Sequence, residues 1–144
     1  MILNIYNLEE INLKIEQTIN GSFLLENNKP IDTLILPEGI KEIECFTFYG
    51  ISNLKKVVLP KSLERISLKA FAYSHLEEVE FNNNLRIIAD KALCYTHLKK
   101  IVLPENLEVL QVGSFGYCKN LEEVTFTGKS VFMESHIFAD CCNL

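Results

Sequence analysis

The chain has 144 residues, of which 48% are hydrophobic and 23% are charged, and its formal net charge is −5. This length allows one domain with a sizeable core, and the composition excludes intrinsic disorder. The negative charge argues against binding to nucleic acid or to an anionic membrane, because both require a surplus of Lys and Arg. No apolar run approaches the roughly 20 residues that cross a bilayer. Met1–Asn12 also lack the basic and apolar segments of a signal peptide.

Residues 1–30 combine a hairpin signal with one imperfect copy of a motif that recurs later in the chain. Asn20-Gly21 lies between the apolar positions of Leu13–Ile15 and those of Phe23-Leu24, which is typical of a tight β-hairpin. Leu8–Leu13 matches the extended half of the later motif, but the positions that follow are polar. We therefore interpret residues 1–30 as an N-terminal cap, made of a degenerate repeat and a hairpin, that closes the first edge of the core.

From residue 31 onward, the motif L-x-x-[IV]-x-[LF] recurs every 22 or 23 residues, with Ile31 and Leu34 as conservative replacements in its first copy. Each unit predicts a short strand with alternating inward and outward side chains, followed by a second extended wall and a tight corner. In three units a proline follows the first strand directly and turns the chain out of the sheet. Four apolar columns stay in phase, so stacked units would bury a continuous core that no single unit can bury alone. The units begin at Ile31, Leu54, Leu76, Leu98 and Leu121.

The pattern L-x-x-I-x-L-P-x-x-L-x-x-I-x-x-x-A-F-x-x-C-x-N-L, which Leu98–Leu121 matches almost throughout, resembles the BspA-like leucine-rich repeats of the Treponema pallidum type. The resemblance is good over residues 31–144 and weak over 8–30, and Asn82 stands where proline is expected. It implies an α/β horseshoe-type leucine-rich-repeat solenoid that is mainly β and right-handed. This solenoid would have about five full repeats, an N-terminal cap and a parallel concave sheet. The resemblance also implies a cell-surface or secreted protein that adheres to host matrix or cell-surface proteins.

The outward positions of the predicted strands define a candidate binding surface. Lys and Glu alternate from unit to unit along two columns, so they would form ion-pair ladders that fix the strand register, a mixed-charge docking strip, or both. A neighbouring column contains exposed β-branched residues, which are ordinary sheet formers and which a protein ligand could also bury. The predicted partner-binding residues are Ile35, Lys56, Val58, Glu78, Glu80, Lys100, Val102, Glu123 and Thr125.

The chain offers little for metal binding or catalysis. His75 and His97 are equivalent residues of adjacent units and should stack, but two imidazoles fall short of the three or four ligands that zinc needs. Cys118 and Cys141 share a column, which predicts two buried thiols or, as the alternative, a disulfide. Cys142 should be the most exposed thiol. No phosphate-binding loop, nucleophile elbow or metalloprotease motif is present, so the sequence predicts no cofactor, no metal site and no enzyme activity.

These observations predict a non-enzymatic protein-interaction module that docks a protein ligand on its concave sheet. It would be adhesin-like or part of a larger surface leucine-rich-repeat protein, although the chain carries no export signal. The alternative is a structural, self-associating scaffold or an intracellular interaction protein that uses its C-terminal edge, where no polar capping segment follows the last unit. An enzyme would need a pocket outside the repeats, which only residues 1–30 could supply.

Overall fold

The computed structural model describes residues 1–144 and shows a β-solenoid with nearly no helix. Its single helical segment is a four-residue 3₁₀ turn at Leu8–Ile11. No helix has the length and apolar character needed to span a membrane. The strands are β1 (Ile2–Leu3), β2 (Leu13–Thr18), β3 (Gly21–Glu26), β4 (Lys29–Pro30), β5 (Thr33–Ile35), β6 (Glu42–Ile43), β7 (Lys56–Val58), β8 (Arg65–Ile66), β9 (Glu78–Glu80), β10 (Ile87–Ile88), β11 (Lys100–Leu103), β12 (Val109–Leu110), β13 (Glu123–Phe126) and β14 (Phe132–Met133).

Each repeat contributes one strand to each of two parallel walls. The first strands form a three-stranded sheet, β5-β7-β9, and a two-stranded sheet, β11-β13; together they are called the concave sheet below, as in the leucine-rich-repeat fold. The second strands form one continuous parallel sheet of six, in the order β1-β6-β8-β10-β12-β14. This architecture confirms the predicted solenoid, because the strand halves of successive units stack in register.

A continuous core of 33 buried residues runs between the walls. Phe48, Phe71 and Phe115 occupy one column, are fully buried, and are each preceded by a small buried residue that lets the corner close tightly. The rings of Phe48 and Phe71 stack with centroids 5.2 Å apart. Most corner hydroxyls are also satisfied, as when Ser74 Oγ donates to Phe71 O at 2.7 Å, whereas Ser114 Oγ is buried without a partner. The apolar columns of the sequence are therefore the physical core of the solenoid.

The N-terminal segment differs from its predicted structure. Leu8–Ile11 forms the 3₁₀ turn and not a concave strand, so that part of the prediction is wrong. Instead β1 pairs with β6, with Leu3 opposite Ile43. Leu8 is buried five residues after Leu3, just as Phe48 is buried five residues after Ile43. Residues 2–11 therefore supply the second wall and corner of a partial repeat, which is the opposite half from the one predicted.

The predicted hairpin is present and follows this partial repeat. β2 and β3 pair antiparallel, with Thr18 opposite Gly21, and β4 adds a short third strand. The hairpin packs against the first full corner, where the side chain of Asn53 accepts from Leu24 N at 2.7 Å and donates to Leu24 O at 2.8 Å. Leu24 is fully buried, so the hairpin contributes directly to the core.

Candidate functional site

The structure places all nine residues of the predicted binding surface on the outward side of the concave sheet. Their neighbours along each strand, such as Leu34 and Ile101, point inward and are buried. One outward row contains Ile35, Val58 and Glu80 in register, and Thr125 lies opposite Val102 in the same position of the later strands. The adjoining row holds Lys56 opposite Glu78 and Lys100 opposite Glu123. Ile35 is 69% exposed and Val102 is 56% exposed, so two large apolar side chains lie open to solvent.

The concave sheet is interrupted between β9 and β11, and this interruption is called the seam below. On the β7–β9 side, Glu77 N and Glu78 N both donate to Lys55 O, at 2.8 and 3.0 Å. At the seam only one equivalent bond remains, from Lys99 N to Glu77 O, and it is longer at 3.4 Å. The seam follows the place where the repeat itself departs from its pattern, because Phe81-Asn82 replaces the Leu-Pro pair of the neighbouring units.

The ion pairs between outward residues of the concave strands stop at the same seam. Lys56 Nζ lies 3.1 Å from Glu78 Oε1 and 3.5 Å from Glu80 Oε2, and its hydrogen bond to Glu78 raises the pKa of Lys56. On the other side, Lys100 Nζ pairs with Glu123 Oε2 at 3.3 Å and makes no ion pair with Glu78. The predicted continuous ladder is therefore two short segments.

Across the seam itself, the only ion pair joins Lys99 Nζ to Glu77 Oε2 at 3.5 Å. Both side chains belong to the column that precedes the strands, so the outward strand charges on the two sides of the seam face solvent without neutralising each other. Exposed pairs of this kind contribute little to stability. The charges at the seam are therefore available to a ligand at small cost to the fold.

An open cleft of about 720 Å³ lies along the seam. Four residues of the predicted surface line it: Glu78, Glu80, Lys100 and Val102. Other lining residues are not among those predicted from the sequence, and they include Phe81, Asn83 and Thr127. The departure from Leu-Pro at residues 81–82 was the signal that could have located them. The cleft combines carboxylates, ammonium groups and an exposed valine, which is the chemistry of a polar protein interface and not of a poised acid–base pair.

The two histidines stack as expected. The ring centroids of His75 and His97 lie 4.7 Å apart and the rings are 13° from parallel. Burial and the neighbouring His75 lower the pKa of His97, whereas Glu77 opposes this effect. No cluster of three or more side chains suited to metal ligation surrounds them.

All five cysteines are free thiols in the structure. Cys118 and Cys141 are buried, and their Sγ atoms donate to Leu93 O and Phe115 O, each at 3.2 Å. A hydrogen bond with Cys141, together with burial, raises the pKa of Cys118 above its usual value. The structure thus shows the first of the two predicted alternatives, two buried thiols, while Cys142 is exposed.

Two parallel walls, a repeat of 22–23 residues and an open concave sheet define a leucine-rich-repeat protein. The family model of the BspA type leucine-rich repeat region matches residues 17–144 in six copies, and the chain belongs to this family. Leucine-rich repeats of this kind are generally protein-interaction modules. The match begins at residue 17, inside the segment interpreted as a cap, so the domain boundary at residue 30 stays a prediction.

Solved structures of bacterial leucine-rich-repeat proteins share this fold. The T. pallidum leucine-rich repeat protein is 26% identical with a TM-score of 0.75, and the match covers 92% of this chain and 66% of that one. A leucine-rich repeat protein from Bacteroides ovatus is 25% identical with a TM-score of 0.71, covering 79% of this chain and 30% of that one. A leucine-rich cell surface protein from Faecalibacterium prausnitzii is 19% identical, with a TM-score of 0.54 and coverage of 82% and 38%. No curated protein matches the chain.

Proposed function

We propose that this chain is a non-enzymatic protein-binding module that docks a protein ligand on the concave sheet, centred on the seam between β9 and β11. The observation that carries the proposal is that the backbone ladder and the outward ion pairs are interrupted at the same place, where a mixed-charge cleft opens. Glu78 and Lys100 face this cleft from opposite sides without pairing to each other. The cleft contains both carboxylates and ammonium groups, so a partner with complementary charges would bind specifically and in one orientation.

Exposed apolar side chains accompany the charges on the concave sheet. Val102 lines the cleft directly, and Ile35 is exposed in the equivalent position at the start of the same sheet. Burying apolar surface contributes roughly 25 cal/mol for each Å² removed from water. Exposed apolar side chains among charges are the arrangement of an interface core with a polar rim.

We further propose that the module is adhesin-like and belongs to a larger protein at the cell surface or in the secreted fraction, with host matrix or cell-surface proteins as ligands. Membership of the BspA type family supports this proposal. The chain spans only 30% of the Bacteroides ovatus protein and 66% of the T. pallidum protein. Each of these proteins therefore has regions that this chain does not match.

Surface plasmon resonance against a panel of purified matrix proteins tests the concave site. Val102→Asp and Lys100→Glu should each weaken binding of a captured ligand at least about tenfold, because they place a charge in the apolar anchor or reverse one in the cleft. Lys119→Glu is a matched control, since Lys119 is exposed away from the concave sheet. If Lys119→Glu weakens binding as much as Lys100→Glu does, or if none of the three has an effect, the concave site is wrong.

Self-association is a second proposal, favoured by the exposed apolar side chains of the last turn. Phe126, Phe132 and Met133 are all exposed, and Phe132 reaches 66%. They lie on β13 and β14, which pair with a neighbouring strand on one side only. Analytical ultracentrifugation should show a concentration-dependent dimer that Phe132→Glu abolishes. A strictly monomeric protein at high concentration would exclude this role.

A further inference from the structure

A row of aromatic side chains runs along the corner that joins each second-wall strand to the next concave strand. Tyr73, Tyr95 and Tyr117 stack with centroids 4.5 Å apart at both steps, and their rings lie within 10° of parallel. Tyr49 extends the row at 5.4 Å from Tyr73, with a tilted ring. All four tyrosines are between 38% and 45% exposed. We call these four residues the tyrosine ladder.

The backbone conformation at three of these positions does not favour tyrosine. Tyr73, Tyr95 and Tyr117 have φ values of 59°, 56° and 60°, in the left-handed region that bulky side chains rarely adopt. The equivalent residues of the flanking units are Gly50 and Asp140, which are types that tolerate this conformation. Three consecutive units therefore carry a strained bulky residue where smaller ones suit the turn better. Strain of this kind is typical of functional surfaces.

Ring stacking alone would not explain the hydroxyl groups. No tyrosine hydroxyl of the ladder forms a hydrogen bond within 3.5 Å to another protein atom, so all four remain free to bond with water or a ligand. Desolvation and the neighbouring Tyr73 and Tyr117 raise the pKa of Tyr95, which keeps its hydroxyl protonated as a donor. A phenylalanine ladder would stack equally well. The hydroxyls thus point to a role beyond holding the turns together.

A groove of about 310 Å³ runs beside the ladder. Its lining contains Tyr73, Tyr95 and Tyr117 together with the basic residues Lys69, Lys91 and His136 and small residues such as Gly116 and Ala139. The lining contains no Asp or Glu, although Asp140 in the next unit lies close enough to help raise the pKa of Tyr95 and the chain as a whole has a net charge of −5. The groove is therefore locally cationic on an acidic protein, and it favours an anionic ligand.

We propose that this groove is a second binding surface, which takes an extended acidic peptide segment of a partner protein. A carbohydrate ligand would pack on the faces of aromatic rings. In this stack the ring faces cover each other, so the inner rings have no free face for a sugar. Their edges carry partial positive charge and their hydroxyls are donors, which suits carboxylate side chains. The two centroid steps from Tyr73 to Tyr117 are 4.5 Å each, a span that about three residues of extended chain would cover.

This inference is independent of the concave site. The corner and the concave strands lie on different parts of each unit, and no residue lines both the groove and the seam cleft. A partner could engage either surface without the other. Substitutions in one surface therefore leave the other as an internal control, and the failure of one proposal does not imply the failure of the other.

NMR titration of the ¹⁵N-labelled chain with a heptaglutamate peptide tests the groove, since it detects affinities as weak as millimolar. We expect saturable shifts centred on the amides of residues 69–73, 91–95 and 113–117. Lys91→Glu should raise the Kd at least about tenfold, and Tyr95→Phe, which keeps the ring stack, should raise it about threefold. Lys29→Glu on β4, an exposed lysine that lines neither the groove nor the seam cleft, is the matched control and should leave the Kd unchanged.

Several outcomes would overturn the proposal. These are an absence of saturable shifts at 10 mM peptide, shifts centred on the concave strands, or equal effects of Lys91→Glu and Lys29→Glu. Heptalysine binding as tightly as heptaglutamate would show that charge does not select the ligand. Tighter binding of an oligogalacturonate than of the peptide would assign the groove to acidic glycans instead. Unchanged circular dichroism of Tyr95→Phe and Lys91→Glu verifies that each variant is folded.

Discussion

The buried side chain of Asn82 is expected to hold the end of β9 in place, and its removal should be costly. Asn82 Nδ2 donates to Pro60 O at 2.6 Å and to Leu63 O at 3.2 Å, and Asn82 Oδ1 accepts from Asn84 N at 2.6 Å. Pro60 O also accepts from Leu63 N at 3.1 Å, so it keeps one bond when the side chain is truncated. Leu63 O and Asn84 N lose their protein partner.

Leu63 is fully buried whereas Asn84 is exposed and its N–H can bond to water, so one buried group without a partner, at about 1–3 kcal/mol, predicts that Asn82→Ala lowers the free energy of unfolding by about 1–3 kcal/mol. With a urea m-value of about 1–3 kcal/mol/M, the midpoint of urea unfolding should fall by roughly 1 M. Asn82→Asp should cost more than Asn82→Ala, because it keeps the acceptor but faces two carbonyl oxygens with a buried charge. Both are measured by circular dichroism in urea.

Asn83→Ala is the matched control for this experiment. Asn83 is the same residue type one position further on, it is exposed, and only its main-chain oxygen is hydrogen-bonded, to Asn106 Nδ2. This variant should change the unfolding midpoint by very little. An Asn82→Ala variant no less stable than Asn83→Ala would refute the hydrogen-bond argument.

Three further expectations can be measured with the same preparation. Phe71→Ala should lower the free energy of unfolding by about 3–5 kcal/mol in urea titrations, because it empties a fully buried ring position; a loss below 1 kcal/mol would contradict the assigned column. The pKa of His97 is lower in the folded state than in the unfolded chain, so the unfolded state binds more protons at low pH. The free energy of unfolding should therefore be unaffected by His97 above about pH 6.5 and should decrease as the pH falls below that value. His97→Asn should remove this slope, and an identical pH profile would argue against it. Native protein should react rapidly with a thiol reagent at two sites, Cys45 and Cys142, and at all five cysteines only after denaturation; a third fast thiol would contradict the burial of the others.

The repeat could be predicted from the sequence because its period is a global property. A column such as Leu34, Val57 and Ile101 tolerates local irregularities, since each unit repeats the same information. Packing of such columns gives the two walls, the core and the outward position of the candidate binding residues. The sequence therefore predicted which side chains face solvent on the concave sheet.

The N-terminal turn could not be assigned by the same reasoning. Leu8, Ile11 and Leu13 satisfy the strand pattern, but Leu8 and Ile11 are also three residues apart, as on one helical turn. Local hydrogen bonds decide between the two: Asn7 Oδ1 accepts from Asn4 N at 2.8 Å, and Asn12 ends the turn with φ of 64°. These contacts depend on backbone geometry that the apolar pattern does not encode.

The seam and the tyrosine ladder were missed for different reasons. The seam depends on an amide-to-carbonyl distance of 3.4 Å in place of about 2.8 Å, which the apolar columns do not encode; its only mark in the sequence is Phe81-Asn82 in place of Leu-Pro. The ladder was visible as tyrosine at 73, 95 and 117, at the repeat spacing of 22 residues. The apolar columns identify buried positions, and the tyrosine column is exposed, so the columns do not reveal it.

The second wall is continuous where the concave sheet is interrupted, so the two sides of the solenoid should differ in stiffness at the seam. The six second-wall strands are hydrogen-bonded without a break, whereas the concave sheet is divided into β5-β7-β9 and β11-β13. A small rotation about the second wall is therefore expected to open or narrow the concave side at the cost of one long backbone hydrogen bond and one exposed ion pair, both between Lys99 and Glu77. Rigid-body bending of this kind lets one repeat array adjust its curvature to ligands of different width.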